Sequence, residues 1–145
     1  LEMDNDGTGK PINIILNTIG GSLFDGATLC NIIDNLKTPT TITVFTYAYS
    51  MGSILLMAGY NNPNVKKRCY KHSTALLHAG SSYLEGDSMS VKDQFNFYQK
   101  FEDVIKEYTL SHSKITPEEY DKMERYEWYM TSDTMLEKGL VDEII

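Results

Sequence analysis

An α/β fold built on a largely parallel sheet is what this 145-residue sequence predicts, from three observations. Two successive segments each run from a strand-length apolar or β-branched stretch, through a corner of small residues, into a segment of helical character: 12–16 into 22–36, and 41–47 into 51–59. The first of these stretches, Ile-Asn-Ile-Ile-Leu, is mostly apolar, as expected of a strand covered on both faces. Repeated strand–helix units then imply right-handed crossovers, which place both corners at the same carboxyl-terminal edge of the sheet.

Length and composition set the bounds. A chain of 145 residues fits one domain, 1–145, with a sizeable core. A net charge of −7 opposes a nucleic-acid partner, because phosphate binding concentrates Lys and Arg on one face. Lys66-Lys67-Arg68 is the one basic cluster and reads as a solvated strand entry. No apolar run is long enough to cross a bilayer and no signal-peptide pattern opens the chain, so the sequence reads as cytoplasmic and without membrane contact. Cys30 and Cys69 lack metal-ligand spacing and read as buried small hydrophobes.

In order along the chain, 1–10 is a polar approach to the first strand and carries no evident chemistry. After that strand, Gly20-Gly21 precedes a helix whose stripe is Leu23, Ala27, Cys30, Ile33 and Leu36, ending before Pro39. The corner Tyr49-Ser50-Met51-Gly52 joins the second strand to a buried helix. Asn-Asn-Pro-Asn at 61–64 is a turn, followed by short strands at 67–70 and 74–78. Residues 81–90 are small and polar. From 91 to 110, Val91, Phe95, Tyr98, Phe101, Ile105 and Tyr108 recur at helical spacing, an aromatic stripe that seeks a partner surface. Thr116-Pro117-Glu118-Glu119 combines an N-cap, a first-turn proline and a capping-box glutamate, opening a short helix to about residue 125. Thr131-Ser132-Asp133 opens a last helix that stops at Gly139, and 140–145 leaves as a strand.

Four places could carry chemistry. Ser50 is either a helix cap or a hydroxyl exposed at a helix N-terminus, where free amides can stabilise developing negative charge. Gly20-Gly21 is either a bare turn or an anion-binding corner. His78, at the tip of an apolar strand, is either a structural histidine or a general base within reach of a neighbouring corner, while His72 and His112 read as surface residues. Glu127, flanked by aromatic residues, is either an ordinary ion-pair partner or a working acid; nearby Glu124 should face solvent.

Taken together, Gly20-Gly21-Ser22, Ala48-Tyr49-Ser50-Met51-Gly52, His78, Tyr129-Met130-Thr131 and Gly139-Leu140-Val141-Asp142 resemble the proteolytic subunit of the Clp protease, ClpP, over nearly the whole chain. The resemblance implies a ClpP/crotonase-type fold of repeated ββα units, with a protruding handle helix at about 81–112 that interdigitates between heptameric rings. It implies a serine endopeptidase without a cofactor or metal: Ser50 as nucleophile, His78 as base, Glu127 where the family usually has Asp, and the amides of Gly21 and Met51 as the oxyanion hole. Substrates would be short peptides, and unfolded proteins when an AAA+ unfoldase partner supplies them. Ile19 stands in place of the family's proline, His78-Ala79-Gly80 in place of His-Gln-Pro, and Tyr126 in place of its basic residue. The family's axial loops, with a helix and a strand, would precede Leu1, so the chain is expected to be an N-terminally short relative or a fragment that does not couple to an unfoldase. The alternative is a catalytically silent ring subunit or scaffold. A crotonase-type acyl-CoA enzyme would need neither the serine nor the strand-end histidine.

Overall fold

The computed structural model describes residues 2–145. Its first strand, β1 (Ile12–Thr18), runs two residues further than the apolar stretch alone predicts. After Gly20-Gly21, α1 (Leu23–Asp34) starts where the Ser22 hydroxyl accepts the Asp25 amide as an N-cap. β2 (Thr40–Tyr49) then passes through Ser50 into α2 (Met51–Met57), whose residues are nearly all buried, as its unbroken apolar sequence requires. β3 (Val65–Cys69) and β4 (Thr74–Leu77) follow.

β2 is the centre of the sheet. Its first half pairs in parallel with β1 on one side and β3 on the other, and its last residues, Tyr47 to Tyr49, pair with β4. With two later strands, β5 (Trp128–Thr131) and β6 (Glu143–Ile144), the strand order is β5-β4-β2-β3-β6, with β1 joined to β2 and β5 alone antiparallel. The core lies between this sheet and α1 and α2, with Val44, Ala48, Leu56 and Met57 fully covered. Gly52 is required in this layer, since a Cβ there would come within 2.5 Å of the Thr18 side chain.

The aromatic stripe at 91–110 forms α3 (Ser88–Ser111), which begins three residues early because Asp87 accepts the amides of Met89 and Ser90. Part of the stripe packs on its own domain: Phe101 lies 5.0 Å from the Phe24 ring of α1. The C-terminal end is tied down by the Tyr108 hydroxyl, which donates to Asp34 at 2.8 Å. His112 departs from its expected surface position, because it stacks on Tyr108 and approaches Asp34 at 3.5 Å. α4 (Pro117–Met123) carries the capping box in full, with Thr116 and Glu119 satisfying each other's backbone amides. A strand not foreseen from the sequence, β5 (Trp128–Thr131), precedes α5 (Ser132–Glu137) and β6 (Glu143–Ile144). No helix among the described residues is long and apolar enough to cross a membrane.

Cys30 and Cys69 are both buried, and burial pushes each thiol up to about 11. The basic cluster 66–68 is not the solvated strand entry expected of it. In β3 successive side chains alternate across the sheet, so Lys66 faces solvent while Lys67 points into the core at 1% exposure. There its ammonium donates to the Gly139 carbonyl at 3.3 Å and sits over the Tyr60 ring. Burial lowers its pKa to about 8, partly offset by the charges of Asp142 and Asp34. Between that value and the ordinary lysine value near 10.5, the unfolded chain holds a proton that the folded chain has lost. This group therefore makes stability rise as pH climbs from about 8 towards 10.5, by roughly 3 kcal/mol in all. Urea unfolding at several pH values should show that rise in the wild type and its loss in Lys67→Met; parallel pH profiles would contradict this account of Lys67.

Candidate active site

The two corners meet at the carboxyl-terminal edge of the sheet, as the strand–helix repeat predicts. A Cβ on Gly20 would stand 2.7 Å from both Ser50 Cβ and the Tyr49 carbonyl oxygen, so only glycine permits this approach. Gly20 also has φ 103°, which other residues rarely adopt. Its amide is spent on the Thr18 hydroxyl, whereas the Gly21 and Met51 amides donate no hydrogen bond among the described residues. Both belong to the groups that a tight turn and the first turn of a helix leave without a partner.

Ser50 is the sole described non-glycine residue with positive φ, at 55° with ψ −125°. A serine held there costs about 1–3 kcal/mol relative to relaxed backbone, a strain that surrounding bonds must hold in place. Its side chain makes no N-cap bond. The hydroxyl instead meets His78 Nε2 at 2.8 Å, with both residues half-buried. When the imidazole proton sits on Nδ1, Nε2 accepts the Ser50 hydroxyl proton, which is the arrangement that generates a nucleophile. Ser50 therefore does not cap α2 with its side chain, and the His78 ring turns Nε2 towards its hydroxyl.

The geometry is fixed by a residue that the sequence reading passed over. Ser53, fully buried one turn into α2, places its hydroxyl 2.6 Å from the Ala48 carbonyl oxygen and 2.7 Å from that of Leu76, and accepts the Leu76 amide at 3.2 Å. The Ser50 amide donates to the same Leu76 carbonyl at 2.8 Å. The corner bearing Ser50 is thus bonded to the strand residue two positions before His78. A serine inside an apolar helical segment was the available signal, because its hydroxyl must find a backbone partner.

Of the residues read from the sequence, Ser50, His78, Gly21 and Met51 gather at this edge, and Glu127 stands apart from the histidine. Its carboxylate is exposed and accepts the Tyr129 hydroxyl at 3.0 Å. β5 pairs antiparallel with β4 as far as Trp128 opposite Leu77, and the pairing ends there, at the residues that adjoin Glu127 and His78. Glu124 is exposed, as expected, and with Glu102 it also lines the cavity of about 340 Å³ that Ser50 and His78 line.

The profile of the family described as Clp protease matches residues 1–145. Similar proteins include the ATP-dependent Clp protease proteolytic subunit of Deinococcus radiodurans, 25% identical over 145 residues, covering 100% of this chain and 70% of that protein. Proteolytic subunit 1 of Salinibacter ruber is 25% identical over 149 residues, 100% of this chain and 61% of that protein. The subunit of Cyanophora paradoxa is 24% identical over 144 residues, 99% and 73% respectively. The chain thus spans less than two thirds of some curated relatives and somewhat more of others.

Replacing Ser53 with alanine removes its bonds to the Leu76 amide and to the Ala48 and Leu76 carbonyls and so loosens the corner. Ser53→Ala should lower unfolding stability by about 1–3 kcal/mol and reduce any Ser50-dependent turnover by roughly tenfold or more, since small misplacements of reacting groups are costly. Denaturant unfolding with parallel kinetics checks this; unchanged stability and rate would remove Ser53 from the site's support.

Proposed function

The chain belongs to the Clp protease family, and on that premise we propose that it is a serine endopeptidase acting on short or unfolded polypeptides. The observation that carries this reading is the 2.8 Å contact between Ser50 Oγ and His78 Nε2 beside two unpartnered amides. His78 takes the hydroxyl proton as Ser50 attacks a peptide carbonyl, and the amides of Gly21 and Met51 receive the oxyanion of the tetrahedral intermediate. His78 then protonates the departing amine, and water repeats the sequence on the acyl-enzyme. Each amide donor is worth on the order of 10²–10³ in rate, so the glycine corner contributes on the same scale as single side chains.

We assign Glu127 as the third member. An exposed Glu–Tyr hydrogen bond is worth little, about 1 kcal/mol, so exchanging Tyr129 for the far nitrogen of His78 costs little, and both residues adjoin the last β4–β5 pair, Leu77 with Trp128. The carboxylate then orients the imidazole and stabilises its charged form. The relatives named above are described as proteolytic subunits of ATP-dependent proteases. For this chain we assign a homo-oligomeric ring, heptameric as the family resemblance implies. The exposed apolar residues Met89, Phe95 and Phe97 of α3 support such a contact, being 50% or more accessible on one helix. Sedimentation at micromolar concentration should give a species several-fold heavier than the 16.5 kDa chain, and a monodisperse monomer would contradict the ring.

A silent ring subunit is the competing reading, and peptide kinetics separates the two. Ser50→Ala should abolish cleavage of small fluorogenic peptides with the fold intact, and Glu127→Gln should reduce it on the order of 10³–10⁴-fold, because an amide stabilises the wrong imidazole tautomer. Wild-type inactivity on every peptide, or Ser50→Ala retaining activity, would overturn the peptidase assignment. Full turnover in Glu127→Gln would leave Ser50 and His78 as a dyad.

A further inference from the structure

The wall of the cavity beside Ser50 says more about its substrate than the nucleophile does. Met51, Ile54, Ile105 and Met123 make it largely apolar, while Glu102 of α3 and Glu124 at the C-cap of α4 bring carboxylates to it. Neither carboxylate forms an ion pair or a side-chain hydrogen bond among the described residues. Lys106, the cation that senses Glu124, is already paired with Asp121 at 2.6 Å. Tyr120 records the resulting field: its phenol is pushed up to about 12, first by burial and then by Glu124, Glu102, Asp103 and Asp121.

We propose that this cavity receives the side chain of the residue supplying the attacked carbonyl, and that it selects a long side chain with a cationic head, lysine or arginine. The inference rests on the peptidase reading of Ser50 and His78. A carbonyl seated against the Met51 amide puts its own α-carbon one bond away, so the attached side chain enters the cavity that Met51 and Ile54 line. A stem of three or four carbons lies along the apolar wall, and the charged head reaches the two open carboxylates. Leucine would bury against the same wall but leave the carboxylates to water, and glutamate would be repelled. Because Glu102 and Glu124 are both exposed, the preference is moderate and screened by salt.

The test uses the full chain and four blocked peptide aminomethylcoumarins that differ only in the residue before the dye: Lys, Arg, Leu and Glu. The kcat/KM values should favour Lys and Arg over Leu by about tenfold and over Glu by about a hundredfold. The Lys-to-Leu ratio should fall towards one between 50 mM and 1 M salt, a readout that needs no variant. In the double variant Glu102→Gln/Glu124→Gln the ratio should fall to within about twofold of one at low salt. Cleavage with leucine equal to or above lysine, or a ratio indifferent to salt and to the double variant, overturns this inference while leaving the peptidase reading in place. Turnover of none of the four peptides overturns that reading, and this inference with it.

Discussion

Everything at the site depends on the way α2 is bonded to β4 through Leu76. Its carbonyl accepts from the Ser50 amide and from the Ser53 hydroxyl, and its own amide donates back to Ser53. Ser53 is fully covered and Leu76 is buried, and an unmade hydrogen bond there costs about 1–3 kcal/mol, so the arrangement is held against alternatives. Two consequences follow from one anchor. Ser50 is kept at a strained positive φ instead of relaxing into an ordinary cap, and His78, two residues after Leu76, arrives at the hydroxyl at the height of the corner.

The electrostatics of the edge follow from its backbone. Gly20 allows the two corners to come within contact distance because it has no Cβ, and this brings the unpartnered Gly21 amide to the same edge as the first amide of α2. Two donors fixed by strand and helix ends need no reorganisation when negative charge forms, which is the condition under which such donors lower a barrier most. The carboxylates of Glu102 on α3 and of Glu124 at the C-cap of α4 line the cavity that Ser50 and His78 share.

Much of this was legible because it is local. The capping box of α4 needs only Thr116, Pro117 and Glu119, and the two strand–helix corners declare themselves by small residues between segments of different periodicity. What the sequence hid depends on the third dimension. β5 is four residues long, too short for alternation to show, and exists because β4 offers it an edge. Lys67 reads as solvated until the pleat turns it inward, and His112 reads as exposed until Tyr108 and Asp34 close round it. Glu124 lines the cavity because of how α4 docks against α3, which no spacing in the chain records. Ser53 was overlooked for a different reason: its signal was local, but it lay inside an apolar run and was read as part of it.

The central claim is that the Ser50–His78 contact makes an activated nucleophile, and covalent labelling tests it without reference to any substrate. Intact mass spectrometry after exposure to a fluorophosphonate should show one adduct per chain, mapped to Ser50, forming at least a hundredfold more slowly in His78→Ala, as expected when a base no longer takes the hydroxyl proton. No adduct in the wild type, or an equal rate without the histidine, would contradict the account.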